Sequence, residues 1–479
     1  MKGEVHNKVK IGLKWNMVNQ IVTQIVFVWF GIYLARILGP EAYGLVGMIT
    51  VFSGFANIFV DFGFTSAIIY FQELDDKKLS SVFWFNMAMG ILIYLMFFFI
   101  SPIIANFYNE PKLEVLTKIV TFSVIINSFG ALQNAILSKN IDFKAKITTS
   151  WVSTILSYSI AFFFAYKGYG VWSLVFQILS VAFFNNLFLW FITKWRPKFH
   201  FLLADIKPMF KYGSGIAGTN ILGYLTRNLD NVIVGKFLGN AALGLYTRSY
   251  GLMMLPLTNI SSVFNKVMFP AFSKMQGDQK AMADYYLKII KLIALVTFPM
   301  MFGLSSISRE FVLLFLGPKW IEAIPLISML SILGAFQSIL SLNGIIYNST
   351  GNSVKAFKLT MYFNLLLIPS WIVGVYLGGL QGLVLAYVIL GIIGAVPIWI
   401  YALRLIDISF KKTLLELKVI FFGSLLFFIV NIMYNNFGLE LLQSLSLKLI
   451  SSTIIYILFI FIFDKSYFKS IANKIIKKK

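Results

Sequence analysis

The 479-residue chain contains no cysteine and only two histidines, and its 41 Lys and Arg far outnumber its 19 Asp and Glu. Without cysteine there are no disulfides, no thiolate metal sites and no cysteine nucleophile. His6 and His200 have no metal-ligand spacing, and no phosphate-binding glycine loop, dinucleotide fingerprint or pair of carboxylates in a loop occurs. ATP hydrolysis within the chain is not expected, and no cofactor or metal is. Charge is scarce altogether, at 13% of residues against about 25% in soluble domains. With a mean hydropathy of +0.81, the expected solvent is lipid. A net charge of +22 would suit nucleic acid if it were gathered on one soluble face, but the basic residues sit in short loops between apolar runs, and no nucleic acid is expected.

What is present is a series of apolar runs, each about 20 residues or longer and able as a helix to cross roughly 30 Å of hydrocarbon. The pattern predicts an all-α polytopic membrane protein of fourteen transmembrane helices: 11–37, 42–70, 79–107, 113–139, 146–167, 170–194, 208–237, 241–270, 283–306, 320–349, 355–377, 380–404, 413–436 and 443–463. The basic start MKGEVHNKVKIGLKW runs into the first helix without a small-residue cleavage site, so no cleaved signal peptide is read. With the N-terminus inside, alternate loops hold 28 Lys and Arg on the inner side and 7 on the outer, Lys448 among the latter. Basic residues concentrate on the cytoplasmic side, so both termini are expected there. The tail KSIANKIIKKK is either an anchor at anionic lipid or disordered.

An internal repeat is also expected. At a shift of 200, Leu38, Gly39, Ala42, Gly44 and Leu45 match Leu238, Gly239, Ala242, Gly244 and Leu245. At a shift of 211, Ser138, Lys144, Ala145 and Gly168 match Ser349, Lys355, Ala356 and Gly379. This gives a six-helix lobe over 1–200, a second over 201–408, and two extra helices with a basic tail over 409–479. Repeats with an even helix count share one orientation, related by a pseudo-twofold axis along the membrane normal, with a transporter's substrate site between them.

Charges inside such helices are costly, about 2.5–3.5 kcal/mol each on the insertion scale, and mark cavities or partners. The stretch NILGYLTRNLDNVIVGKFLG, Asn220 to Gly239, carries Arg227 and Asp230. Asn220, Tyr224, Arg227, Asn228 and Asn231 fall on one helical stripe. The repeat-related first helix carries Asn16, Asn19, Gln20, Thr23 and Gln24, and Gln20 and Gln24 stand 200 before Asn220 and Tyr224. Arg227 and Asp230, three apart, either neutralise each other or contact a ligand. Arg248 lies two turns into the eighth candidate helix. Arg36, near the outer end of the first, either lines the site or snorkels to the interface. Asp61, before Gly63 in FVDFGFTSA, either ties helices together or carries a proton. The balance of Arg227, Arg248 and Arg36 against Asp61 and Asp230 is positive and suits an anion; arginine's planar fork matches phosphate. A small-molecule exporter would want an acidic cavity, and a membrane glycan polymerase a sizeable external loop.

LARILGPEAYGLVGM, FVDFGFTSAIIY, IIANFYNEPKL, KWRPKF, YTRSYGLMMLPLTNI, FPAFSKMQGD and FLGPKWIEAIPLI, in that order and spacing, resemble the polysaccharide repeat-unit (Wzx-like) flippases of the multidrug/oligosaccharidyl-lipid/polysaccharide exporter superfamily. The resemblance covers nearly the whole chain. It implies a 6+6+2 helix fold and ion-coupled alternating access that carries undecaprenyl-pyrophosphate-linked oligosaccharide across the bacterial cytoplasmic membrane. A multidrug or small-molecule exporter of the same superfamily and a glycan polymerase stand as alternatives. It further implies buried arginines near the diphosphate, for which Arg227 and Arg248 are the candidates, with Asp61 and Asp230 as ion carriers. The polysaccharide polymerase and export machinery are the implied partners.

Overall fold

The computed structural model describes Trp15, Val22, Gln24, Val26 and residues 28–71, 74–140 and 142–465. Among these the chain is helical throughout, with no strand. Its helices are α1 (Val28–Leu38), α2 (Pro40–Asp61), α3 (Phe64–Tyr70), α4 (Asp76–Tyr108), α5 (Lys112–Lys139), α6 (Phe143–Tyr166), α7 (Trp172–Ile192), α8 (Leu203–Met253), α9 (Ser262–Lys274), α10 (Gln279–Ser306), α11 (Ser308–Phe311), α12 (Ala323–Leu340), α13 (Asn343–Ser349), α14 (Ser353–Ile393), α15 (Ala395–Arg404), α16 (Phe410–Met433) and α17 (Leu441–Phe463). Only helices can cross hydrocarbon in an open bundle, because each backbone donor and acceptor is satisfied within its own segment.

Ten described segments are long and apolar enough to cross a bilayer, making this a multi-pass membrane protein. The run Ser353–Arg404 holds the eleventh and twelfth candidate helices, joined through non-helical Gly378 and Gly379. The seventh and eighth candidates fall in α8 and α9. α8 is two helices that meet at non-helical Gly239 (φ 82°, ψ −175°), and it is not among the ten, because charged and polar residues dilute it. The eighth candidate is also interrupted after Pro256, where a π-helical turn, Leu257–Ser261, precedes α9; proline removes a donor and clashes with the preceding turn. The second candidate breaks at Phe62 and Gly63, both at positive φ (39° and 76°), into α2 and α3. The first is described continuously only from Val28; Asn16, Asn19, Gln20 and Thr23 lie outside the described residues, as does the basic tail beyond Lys465.

By contact the chain divides into two compact units, Met1–Gly244 and Leu245–Lys479. In the first, a reciprocal crossing stands out. A Cβ on Gly44 would overlap the carbonyl of Asn240, and a Cβ on Gly244 would overlap the carbonyl of Pro40. These four positions are two pairs at the 200-residue shift, so residue 44 meets 240 and residue 244 meets 40. That reciprocity is the mark of a twofold contact between like motifs. The glycines that open the two motifs agree too: Gly39 has φ 79° and ψ 175°, Gly239 φ 82° and ψ −175°. Only glycine enters this region without strain.

Polar side chains inside the first unit are tied together. Asn127 donates to Asn57 Oδ1 at 3.0 Å, and Asn186 donates to Asn127 Oδ1 at 3.3 Å and to the Ala182 carbonyl at 2.7 Å. This amide chain links α2, α5 and α7. Gly130 leaves room for the Asn186 amide, which a Cβ would overlap.

In the second unit three polar sets hold α16 and α17 to α10 and α11. Lys291 on α10 reaches Asp464 Oδ2 at 2.7 Å and Glu416 Oε2 at 3.4 Å. Asn431 on α16 donates to Ser306 Oγ at 2.8 Å and accepts from Ser452 on α17. Lys448 on α17, expected in an outer loop, is fully buried; it donates to Glu310 Oε1 at 2.6 Å, and Ser444 donates to the same oxygen at 2.9 Å. Burial alone would raise the Glu310 carboxyl, but the hydrogen bonds from Lys448 and Ser444 outweigh it and hold it below its ordinary 4.5.

Two outcomes follow from this packing. Gly44→Ala should lower stability by about 1–3 kcal/mol through overpacking, read as a lower thermal midpoint in detergent. Gly215→Ala, where a Cβ meets nothing within 4 Å, should not. Lys448→Met should cost about 3–5 kcal/mol by stranding a buried carboxylate, while Glu310→Leu with Lys448→Met recovers most of the loss. Because the folded-state value of Glu310 is depressed, its contribution is present above about pH 4.5 and is lost as pH falls through that depressed value. Glu310→Gln should remove this acid-side loss.

Candidate functional site

The seventh candidate helix forms the N-terminal part of α8, within the first unit. Along it Thr219 and Thr226 return their hydroxyls to the carbonyls of Gly215 and Leu222, both i−4. Asn228 donates to the Tyr224 carbonyl at 2.9 Å, and Asn231 to Asn228 Oδ1 at 3.5 Å. The Tyr224 hydroxyl leaves the helix. It lies 3.0 Å from the Thr50 carbonyl and 2.9 Å from that of Val51, against Gly54, and so pins α8 to the middle of α2.

Arg227 is the exception. It is exposed, and among the described residues its guanidinium makes no hydrogen bond and no ion pair. Its Nη2 lies over Gly223, one turn back, where a Cβ would sit 3.6 Å away, as expected for helical side chains that lean toward the N-terminus. Asn220, two turns back on the same stripe, is exposed as well. A guanidinium presents five donors in a fixed fork and stays charged, so this helix offers an unspent cation at mid-length.

Asp230 is not the partner of Arg227. It is buried at 4% exposure, and its Oδ1 accepts the backbone N–H of Asn231 at 2.8 Å. Of the two readings open in the sequence, mutual neutralisation and ligand contact, the first is not the arrangement adopted. Asp61 ends α2, and its Oδ1 accepts from the Thr65 amide at 3.2 Å and from the Thr65 hydroxyl, capping α3 across the break. Gly63 at that break meets the backbone of Gly213 on α8, and Asp61 lies within electrostatic reach of the Lys146 ammonium.

Arg36 is exposed near the end of α1, and Gln24 is half-buried; Gln20 lies outside the described residues. Arg248 is half-buried, past the Gly239 break and in the second unit. The structure thus brings Asn220, Tyr224, Arg227 and Asn228 onto one helix of the first unit. Asn57, Asn127 and Asn186 are not among the residues singled out from the sequence, although each is polar in an apolar run, because an uncharged amide costs less in hydrocarbon than a charge and marks a site less sharply. Nor is Lys146 near Asp61 among them. Among the described residues no group of three or more His, Asp or Glu is placed to hold a metal ion.

A family model described as polysaccharide biosynthesis protein matches residues 33–325. The lipopolysaccharide biosynthesis protein WzxC of Escherichia coli (strain K12) is 25% identical over 431 residues, 86% of this chain and 85% of the relative. The teichuronic acid biosynthesis protein TuaB of Bacillus subtilis (strain 168) is 25% identical over 481 residues, 99% of each. Among solved structures, the lipid II flippase MurJ in an inward closed conformation superposes with a TM-score of 0.74 at 18% identity, covering 94% of this chain and 99% of that one. The last likeness is one of fold.

Since Arg227 and Asp230 do not pair, exchanging them (Arg227→Asp with Asp230→Arg) should leave transport no better than either single change. Vesicle transport of the double variant near the wild-type rate would show that the two charges act only on each other.

Proposed function

The chain belongs to the polysaccharide biosynthesis protein family, and on that premise we propose that it is a flippase for undecaprenyl-pyrophosphate-linked oligosaccharide in the bacterial cytoplasmic membrane. No bond is made or broken; the chain moves a headgroup between leaflets. WzxC and TuaB are named for lipopolysaccharide and teichuronic acid biosynthesis, and MurJ is named a lipid II flippase. The two biosynthesis names point to glycan assembly, and the flippase name to movement of a lipid-linked precursor.

The observation that carries the reading is Arg227. A guanidinium exposed on a helix of a membrane protein, with no partner among the described residues, is expected to face water or a ligand, because hydrocarbon tolerates it poorly. A diphosphate answers its planar fork. On that helix Asn220 and Asn228 supply the polar surroundings that sugars require and Tyr224 the face or edge of its ring, and by sequence Gln20, Gln24, Arg36 and Arg248 are the further candidates. A cationic drug, the cargo of an alternative exporter, would be repelled by the same set. Transport proceeds by alternating access of the lobes 1–200 and 201–408, with 409–479 as two added crossings. Fourteen crossings place both termini in the cytoplasm, as the 28-to-7 division of basic residues suggests. Asp61 and Asp230 are the acidic groups through which an ion would couple, and the glycan polymerase and export machinery are the partners downstream.

Arg227→Ala should slow leaflet reversal of a labelled prenyl-diphosphate sugar in reconstituted vesicles by about 10- to 100-fold, the value of one charge-assisted bond, with unchanged thermal midpoint. Arg227→Lys should fall between, since the charge stays and the fork is lost. Wild-type transport by Arg227→Ala would refute the assignment.

A further inference from the structure

The stretch Lys194–Lys211, KWRPKFHFLLADIKPMFK, comprises the connection from α7 to α8 and the first turns of α8, and takes no part in the site above. Its backbone is fastened to the start of α4. The Lys198 amide donates to Ser80 Oγ at 3.0 Å, Trp84 Nε1 donates to the Lys198 carbonyl at 2.9 Å, and the Leu202 amide donates to Ser81 Oγ at 3.1 Å. Ser81 passes its own proton to Asp205 Oδ2 at 3.0 Å, and His200 Nε2 lies 3.0 Å from the same oxygen. Ser80 and Ser81 are fully buried, so this is a built attachment.

Fastened in this way, with Ile206 and Met209 buried in the core, the segment turns a set of apolar side chains outward between Phe199 and Leu203. Phe199 is 99% exposed, and Phe201, Leu202 and Leu203 are half exposed or more. Around them Lys194, Lys207 and Lys211 are exposed and make no ion pair among the described residues. The nearby acids are already engaged: Asp205 as above, and Asp76 with Lys198 at 3.0 Å. The patch is therefore apolar at its centre and positive at its edge. It lies where α7 ends and α4 begins, two of the helices long enough to cross a bilayer, and so at the level where chains leave hydrocarbon for headgroups. Aromatic side chains ringed by lysine favour that layer, and each lysine there gains about 1 kcal/mol, or about fivefold, from an anionic surface.

We propose that Lys194–Lys211 is a lipid-surface element: its phenylalanines and leucines enter the headgroup layer, and Lys194, Lys207 and Lys211 select anionic phospholipid. The segment connecting the two sequence repeats is thereby held to the bilayer surface.

The chain has no cysteine, so a single spin label can be placed through Phe199→Cys in the full-length protein. It would be reconstituted in phosphatidylcholine with and without phosphatidylglycerol, with Tyr169→Cys, in the loop between α6 and α7, as the reference. The label at 199 should become less mobile and more shielded from a water-soluble nickel chelate when phosphatidylglycerol is present, and that at 169 should not. Lys207→Gln with Lys211→Gln should reduce the lipid preference about 25-fold. Three results would overturn the proposal: equal nickel access in both lipids, equal lipid dependence at 169, or a label at 199 already immobile in detergent, which would mean that protein covers this face.

Discussion

A polar group inside hydrocarbon must be paired or wetted, and nearly every side chain discussed above answers to that constraint. Lys448 meets Glu310, Lys291 meets Asp464 and Glu416, and the three asparagines of the first unit hand their amides along a chain. Threonines and serines in the helices return their hydroxyls to carbonyls one turn back. These arrangements tie helix to helix, and a group so engaged has little capacity left for cargo. Against that background Arg227 has a meaning it would lack on a soluble protein. It has the same cost to meet and no partner among the described residues to meet it, so water or a visiting anion is what remains.

The same constraint explains why so much of the architecture can be read from the residues. Apolar runs of spanning length can do little else, and most helix limits fall within a few residues of those the composition predicts. Glycines at 239 and at 378 and 379 end one run and begin the next. What could not be read was the interior of each run. The breaks at Phe62 and Gly63 and after Pro256 depend on which helix approaches there: Gly63 meets Gly213, a contact with no counterpart in local sequence. Lys448 lay too near a helix end to be distinguished from a loop residue without knowledge of Glu310, which is 138 residues away in the chain. For the site, the polar stripe of α8 was evident from spacing. Whether Arg227 and Asp230 paired was not, since helical neighbours three apart can reach each other or not according to rotamer and burial.

Tyr224 illustrates how place within a fold narrows a residue's role. By spacing alone it belongs with Asn220 and Arg227 as a polar contributor. Its hydroxyl, however, is occupied by two carbonyls of α2, and what it offers a neighbouring ligand is the face or edge of its ring. It also fixes the rotation of α8 about its axis, and with it the direction in which Arg227, three residues on, projects.

The crossing of Gly44 with Asn240 and of Gly244 with Pro40 constrains how such a chain can change over time. At most positions a substitution can be absorbed by side chains that shift nearby. Here each glycine faces main chain contributed by the other motif, and main chain cannot be trimmed by mutation to make room. Two positions separated by 200 residues are therefore bound to a shared fate: neither glycine can gain a side chain while the other's motif keeps its place.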